Sequence, residues 1–271
     1  MMRLLSIITV LVVSGLAAFG RQPVGIAFYD VDRIYDTIPA LFYDDSDYTP
    51  EGRYAWNTKR YERKIRNTAA VIDSMGLEIV ALWGVENEQV VRDLAAACNG
   101  GYSYLHRTLN TLDGMDFALL YYGDRFYPQQ VETGRRSLYV QGEWKGHTVG
   151  LALCADERSA QWLAGDLREE HPEAKLILLG RVGRIRPERF GLRDVMARAE
   201  KAGRGNIRTS GRWVMRDRIL VDTLLQNSNG DVYIRRYLVD QKDNSPLRTF
   251  NRGVYYGGYG YSLPVFTYIG L

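Results

Sequence analysis

Uninterrupted apolar runs recur along the chain at residues 24–29, 78–83, 116–122, 148–154 and 175–180. Their length and their content of Val, Ile, Leu and aromatic residues predict strands buried on both faces. Between the first two runs, Tyr61, Ile65, Ala69, Ile72 and Met75 repeat at steps of three or four and stop at Gly76. That spacing predicts an amphipathic helix closed by a glycine cap. Asn87 is placed to cap a second helix that turns Val91, Leu94 and Cys98 inward, and a third is expected over about 159–170, ending before His171-Pro172. Past residue 210 the pattern changes: 212–221 and 232–239 read as strands of a hairpin joined by Asn227-Ser-Asn-Gly230, with a last strand over 264–269. Mixed sheets with helices outside follow, in a single α/β domain over residues 21–271.

The first twenty residues have a different pattern. Met1-Met2-Arg3 precedes an apolar run from Leu4 to Val13 and then small residues up to Gly20. This is the pattern of a secretory signal peptide, too short to span a bilayer, with cleavage expected near residue 20. No later stretch is apolar enough for a membrane span, and a periplasmic or secreted monomer is expected. Export leaves open whether Cys98 and Cys154 form a disulfide or remain two buried thiols, since both lie in apolar contexts.

The 271 residues are 46% hydrophobic and 25% charged, which excludes a disordered chain, a collagen or a coiled coil. The net charge of +3 points to no partner by itself. Its distribution says more: residues 181–218 hold eleven Arg and Lys201 against Glu188, Asp194, Glu200 and Asp217, a local excess of eight positive charges. Guanidinium groups pair carboxylates and phosphates through a planar fork, so this stretch is either an anion site or a surface neutralised by internal ion pairs. The three histidines and two cysteines show no zinc-ligand spacing.

Several segments occur in an order that resembles the endonuclease/exonuclease/phosphatase superfamily, particularly its secreted bacteroidetal-type members. They are Tyr29-Asp-Val-Asp-Arg-Ile-Tyr-Asp36, Thr49-Pro-Glu-Gly-Arg53, Ile79-Val-Ala-Leu-Trp-Gly-Val-Glu-Asn87, Gly114-Met-Asp-Phe-Ala-Leu-Leu-Tyr121, Asp217-Arg-Ile-Leu-Val221 and Gly257-Gly-Tyr-Gly-Tyr-Ser-Leu-Pro-Val265. The resemblance implies a four-layer sandwich of two mixed β-sheets flanked by helices. It also implies hydrolysis of phosphoesters with a divalent metal, usually magnesium, held by carboxylates. His and Asn groups would meet the charge on phosphorus.

Position by position, the family's chemistry is replaced. Asp30 stands where the family has Asn, and Gly84 where it has the metal-binding Glu, although Glu86 and Asn87 keep a second acidic position. Cys154 takes the place of a His, while Arg158 keeps that motif's Arg. Arg181 replaces an Asp and Gly183 an Asn; Tyr261 and Ser262 fall where an acid and a His are expected; Asp217 is retained. An Arg at 181 would repel a divalent cation.

The resemblance with these replacements implies a pseudoenzyme without catalytic residues, metal or cofactor, which binds an anionic ligand or a protein partner. Nucleic acid is disfavoured as a partner. Arg158 and Arg181 are the candidate anion-binding pair. The competing expectation for Arg181 is internal pairing with Asp30, Glu86 or Asp217. The alternative function is an active magnesium-dependent phosphodiesterase or nuclease whose metal is held by Asp30, Glu86 and Asp217. A purely structural part of an envelope complex is the third reading.

Overall fold

A computed structural model describes residues 23–183 and 185–270; the expected signal peptide lies outside them. The N-terminal half holds β1 (Val24–Ile34), α1 (Thr58–Met75), β2 (Ile79–Val85), α2 (Glu88–Ala97), β3 (Ser103–Arg107) and β4 (Asp116–Tyr121). Then come β5 (Tyr127–Gly134), β6 (Ser137–Trp144), β7 (His147–Cys154), α3 (Glu157–Glu170) and β8 (Lys175–Gly180). The rest comprises β9 (Leu192–Asp194), α4 (Ala197–Lys201), β10 (Ile207–Thr209), β11 (Arg212–Val214) and β12 (Arg218–Asp222). The short strands β13 (Gln226–Asn227), β14 (Asp231–Val232), β15 (Phe250–Asn251) and β16 (Val254–Tyr255) follow, and β17 (Val265–Gly270) closes the chain.

Two mixed sheets form, as expected. One has the order β13-β17-β1-β2-β4-β3 with β14 also on β17, and the other β5-β6-β7-β8-β12-β9. Each contains one parallel pair, β1 with β2 and β7 with β8, and in each case a helix makes the crossover, α1 in the first and α3 in the second. Alternation along the strands explains why the apolar runs are continuous. In β7, Val149, Leu151 and Leu153 face the core shared by both sheets, whereas Ala152 and Cys154 pack beneath α3 with Ala160, Ala164 and Leu167. Strand β8 divides in the same way, with Ile177 and Leu179 facing inward and Leu176 and Leu178 facing the helix. Among the described residues no helix is long and apolar enough to cross a membrane.

Local signals set the helix ends. Asn57 accepts from the Arg60 amide and Asn87 from the Val90 amide at 3.1 Å each, and Gly76 caps α1 at φ +60°. The third helix begins two residues before its expected start because Asp156, accepting from Ser159 N at 2.8 Å, is its cap.

The expected late hairpin is not formed. Residues 212–214 pair with β10, the chain breaks at 215–217, and β12 then joins β8 and β9; residues 233–239 are mostly irregular. Arg216 and Asp217 interrupt the strand because their side chains are drawn into a polar cluster described below. Cys98 and Cys154 are both free and buried. They sit in different packing clusters, and burial pushes the Cys98 thiol up to about 12 and the Cys154 thiol higher still.

Both sheets end at one rim. Gly180, the last residue of β8, has φ +116°, and a methyl group there would run into the Cys154 carbonyl oxygen. Substituting Gly180→Ala is therefore expected to destabilise the protein by at least about 2 kcal/mol, read from the urea unfolding midpoint, because backbone strain and a backbone clash act together.

Candidate functional site

At this rim β1 leaves regular geometry. Asp32 and Arg33 adopt φ of +61° and +56°, and the register against β2 shifts between Asp30 and Ile34. Two successive non-glycine residues in the left-handed region persist only where surrounding contacts hold them. Here Asp30 Oδ1 accepts from Asp32 N at 3.1 Å, and Asp32 Oδ2 accepts from Thr249 N at 2.7 Å, which ties the 246–260 segment to β1.

The bulge points the Asp30 carboxylate toward the second sheet. Its Oδ2 accepts from Arg181 Nη2 at 2.5 Å and from Arg216 Nη2 at 2.6 Å. Arg216 Nε also donates to Asp217 Oδ1 at 3.1 Å, while Arg181 Nε lies 4.0 Å from that same oxygen. The Asp217 carboxylate is completed by Asn206 Nδ2 and Ser262 Oγ, each 2.7 Å from Oδ2. Burial alone would raise the Asp30 carboxyl, but the guanidiniums of Arg216 and Arg181 outweigh it and hold the group below the usual carboxylate range. Arg216 is correspondingly pushed up by the two carboxylates against the opposing effect of burial.

Above this cluster opens a cleft of about 600 Å³. The Tyr261 ring stands in it, with the guanidinium carbons of Arg248, Arg216 and Arg181 at 3.7, 4.3 and 5.9 Å from its centroid. Seven arginines line the cleft, Arg33, Arg53, Arg136, Arg181, Arg216, Arg248 and Arg252, against three acids, Asp30, Asp32 and Asp113. Arg33 pairs with Asp113 at 3.2 Å, and Arg136 pairs with Asp156 at 3.3 Å while lying over Trp83. Arg53, Arg248 and Arg252 have no ion-pair partner within 4.0 Å among the described residues, so the cleft keeps an excess of positive charge. Below it the buried Lys64 donates to Tyr259 O at 2.6 Å; burial lowers its ammonium to about 8, partly opposed by Asp32 and Asp30.

Asp30, Gly84, Arg181, Asp217, Tyr261 and Ser262 are thus brought together. The competing expectation for Arg181, internal pairing, is met through Asp30. The others are not at the site. Glu86 faces the 36–45 segment, where its Oε2 accepts from Asp36 N at 2.6 Å and its Oε1 from Tyr43 Oη at 2.8 Å. The cause is local: β2 shifts register after Trp83, Gly84 takes φ +97°, and the chain turns Glu86 away. The Cys154 thiol points under α3, and only its carbonyl touches the site, accepting from Arg181 N at 2.9 Å. Gly183 lies against Glu157, and Arg158 is exposed on α3 beside Trp162, so Arg158 and Arg181 form no joint anion site. Arg216, Asn206 and Arg248 were not singled out from the sequence. Arg216 had one signal, its place next to Asp217 within the basic stretch.

The superfamily's divalent metal does not fit these residues. Gly84 offers no ligand, the inward oxygens of Asp30 and Asp217 are already taken by cationic or neutral donors, and two guanidiniums stand where a cation would have to approach. The proposed ligand set Asp30, Glu86 and Asp217 is not assembled. Among the described residues the one group of three His, Cys, Asp or Glu with ligand atoms within 4.8 Å is Glu132, Glu170 and His171, none of which lines the cleft.

Comparisons with known proteins agree with this architecture. Residues 25–147 match the family model "Endonuclease/Exonuclease/phosphatase family". No curated protein matches the chain significantly. Among solved structures, an endonuclease/exonuclease/phosphatase family protein from Bacteroides thetaiotaomicron is similar with a TM-score of 0.61 at 14% identity, over 92% of this chain and 98% of that one. A mannosyl-6-phosphatase of the same organism follows at 0.60 and 13%, over 91% and 99%. TDP2 of D. rerio, complexed with a single-strand DNA product, is similar at 0.55 and 13%, over 92% and 99%. The chain therefore carries the fold of the endonuclease/exonuclease/phosphatase superfamily and, over residues 25–147, its sequence pattern. The expectation that nucleic acid is disfavoured draws no support from the TDP2 complex.

Two outcomes test the electrostatics. Arg216→Ala is expected to cost about 3–5 kcal/mol in urea unfolding, because it leaves the fully buried Asp217 without its cation. Burial raises the Glu86 carboxyl to about 7 from 4.5, so its contribution is fully present below about pH 4.5 and is lost as pH rises through 7. Unfolding followed between those pH values should show stability falling in the parent and a flatter profile in Glu86→Gln.

Proposed function

We propose that the chain is an exported, non-catalytic relative of the metal-dependent phosphoester hydrolases, and that its cleft holds an anionic ligand without cleaving it. One observation carries this reading: the guanidiniums of Arg181 and Arg216 both donate to Asp30 Oδ2, and Arg216 also binds Asp217. The group that would otherwise collect a metal or take a proton from water is thereby occupied. Hydrolysis of a phosphoester needs an activated water and a cation or acid for the leaving oxygen. Asp30 is a carboxylate tied to two cations, and none of His106, His147 and His171 lines the cleft.

Binding needs less. Arg53, Arg248 and Arg252 keep their charge free of an ion pair, and Tyr54, Phe250 and Tyr261, packed on one another and on Arg248 and Arg216, form the walls between them. Phosphate, sulfate and carboxylate groups all suit a guanidinium fork, so the ligand class is a molecule carrying one of these anionic groups. Arg181 and Arg216 serve as the fixed floor of the site. Export rests on the leader pattern of residues 1–20, and intact mass of the protein recovered from the cell envelope should show cleavage near residue 20.

The functional test pairs two titrations. Inorganic sulfate and phosphate, followed by calorimetry, should bind the parent and bind at least about tenfold more weakly to Arg248→Ala/Arg252→Ala, in line with the loss of charge-assisted bonds. A generic phosphodiester with magnesium should show no turnover above buffer. Turnover that disappears in Asp30→Asn would restore a hydrolase and overturn the proposal, as would anion binding unchanged in the double variant.

A further inference from the structure

The positive charge of the cleft does not stop at its mouth. Residues 51–67 and 248–261 together hold eight Lys and Arg against two acids, Glu51 and Glu62, and Glu62 is engaged by Arg66 at 3.5 Å. The two segments meet at the β15–β16 hairpin, whose Phe250, Arg252 and Gly253 belong to the cleft wall. Phe250 packs on Tyr255 of the same hairpin with ring centroids 5.3 Å apart, and over Tyr255 lie the guanidinium carbons of Arg60 and Arg63, 4.3 and 5.9 Å from its centroid. Arg60 also donates to the carbonyl of Tyr54, itself a residue of the cleft wall. At the hairpin turn, Arg53 Nη2 comes within 3.8 Å of where a methyl carbon on Gly253 would sit.

Among the described residues neither Arg60 nor Arg63 has a carboxylate within 4.0 Å, and the same holds for Arg53, Arg248 and Arg252. Five guanidiniums without an ion-pair partner therefore follow one another from the cleft, along the hairpin and onto the first turns of α1. Like charges held this close repel one another, and a ligand with a single anionic group would answer only the part of this charge that lies inside the cleft. A chain bearing repeated anionic groups would answer all of it, through the charge-assisted bonds a guanidinium makes best.

From this continuity we propose that the ligand is an acidic polysaccharide, one anionic group entering the cleft beside Arg248 and the following ones crossing the hairpin to Arg60 and Arg63. The inference rests on the reading of the cleft as an anion site and extends it outward. The aromatic residues decide between a polysaccharide and a nucleic acid. Single-stranded nucleic acid binds by stacking its bases on aromatic faces. Here the rings are used by the protein: Tyr48 packs on Tyr54 at 4.7 Å, Tyr54 on Phe250 at 4.5 Å and Trp83 on Phe117 at 4.5 Å, while Arg248 covers Tyr261 at 3.7 Å and Arg60 covers Tyr255. What the path offers is guanidinium donors, which suit the sulfate or carboxylate groups spaced along a sugar chain.

The test is calorimetric titration of the protein with inorganic sulfate, a heparin disaccharide, a heparin decasaccharide and a single-stranded oligothymidylate of the decasaccharide's charge. The decasaccharide is expected to bind at least about tenfold more tightly than the disaccharide, because the second set of contacts is made within one complex. Arg60→Gln/Arg63→Gln should bring the two affinities together, and Arg60→Lys/Arg63→Lys, which keeps the charge, should restore most of the difference. The preference for the longer chain should also shrink as salt is raised, since exposed charges are screened. A parent that binds sulfate but gains nothing from chain length, or a glutamine variant that keeps the full gain, would overturn this inference and leave the anion site of the cleft standing. Binding of neither sulfate nor decasaccharide would overturn both. Tighter binding of oligothymidylate than of decasaccharide would overturn the polysaccharide and assign the path to nucleic acid.

Discussion

One carboxylate oxygen, Oδ2 of Asp30, holds two guanidiniums that come from different places in the sequence, and the rest of the site depends on it. Two buried carboxylates, Asp30 and Asp217, bring two negative charges to the junction of the two sheets, and Arg181 and Arg216 bring two positive charges. A divalent cation would give the same balance. The difference is directional: a metal ion gathers oxygens around an open coordination position, whereas a guanidinium spends its donors along fixed N–H bonds and presents no Lewis-acid site. A buried arrangement of this kind is costly to break, because removing any one charge strands another away from water.

The same cluster joins the sandwich. Asp30 lies on β1 of the first sheet, Arg181 follows β8 of the second, Arg216 and Asp217 precede β12, and Ser262 leads into β17. The parallel β1–β2 and β7–β8 units place these chain ends at one rim, which is where crevices open at the carboxyl ends of parallel strands. The glycine at 180 and the bulge at 32–33 let the backbone approach closely enough for the bonds to form. Fold and site are thus one packing problem: a sandwich core below, and a neutralised ionic lock above it.

Much of the fold was legible in the sequence for reasons the packing explains. Runs such as 148–154 and 175–180 are continuous because one face of each strand meets the opposite sheet and the other meets α3. Asn87 and Gly76 announced helix ends through chemistry internal to the helix. What failed was non-local. Strand β5 is largely exposed and has no clear alternation, so no pattern marks it, and the 212–221 run reads as one strand although Arg216 and Asp217 leave it to bind Asp30 and Asn206. At the site, the identity of Arg181 was readable and its pairing with Asp30 was one of the stated options. The direction of Glu86 depended on a register shift that no spacing reveals, and Arg216 entered only through the fold. Cys154 kept its place in the motif while its thiol turned to the helix side of the strand.

The central claim is that guanidiniums stand in for a metal ion, and thermal unfolding with and without manganese tests it directly. The parent should melt at one temperature in either condition, while Arg181→Gln/Arg216→Gln, which leaves Asp30 and Asp217 without their cations, should melt lower and regain stability when manganese is added. A parent protein that manganese stabilises would contradict the account and place an ion among these carboxylates.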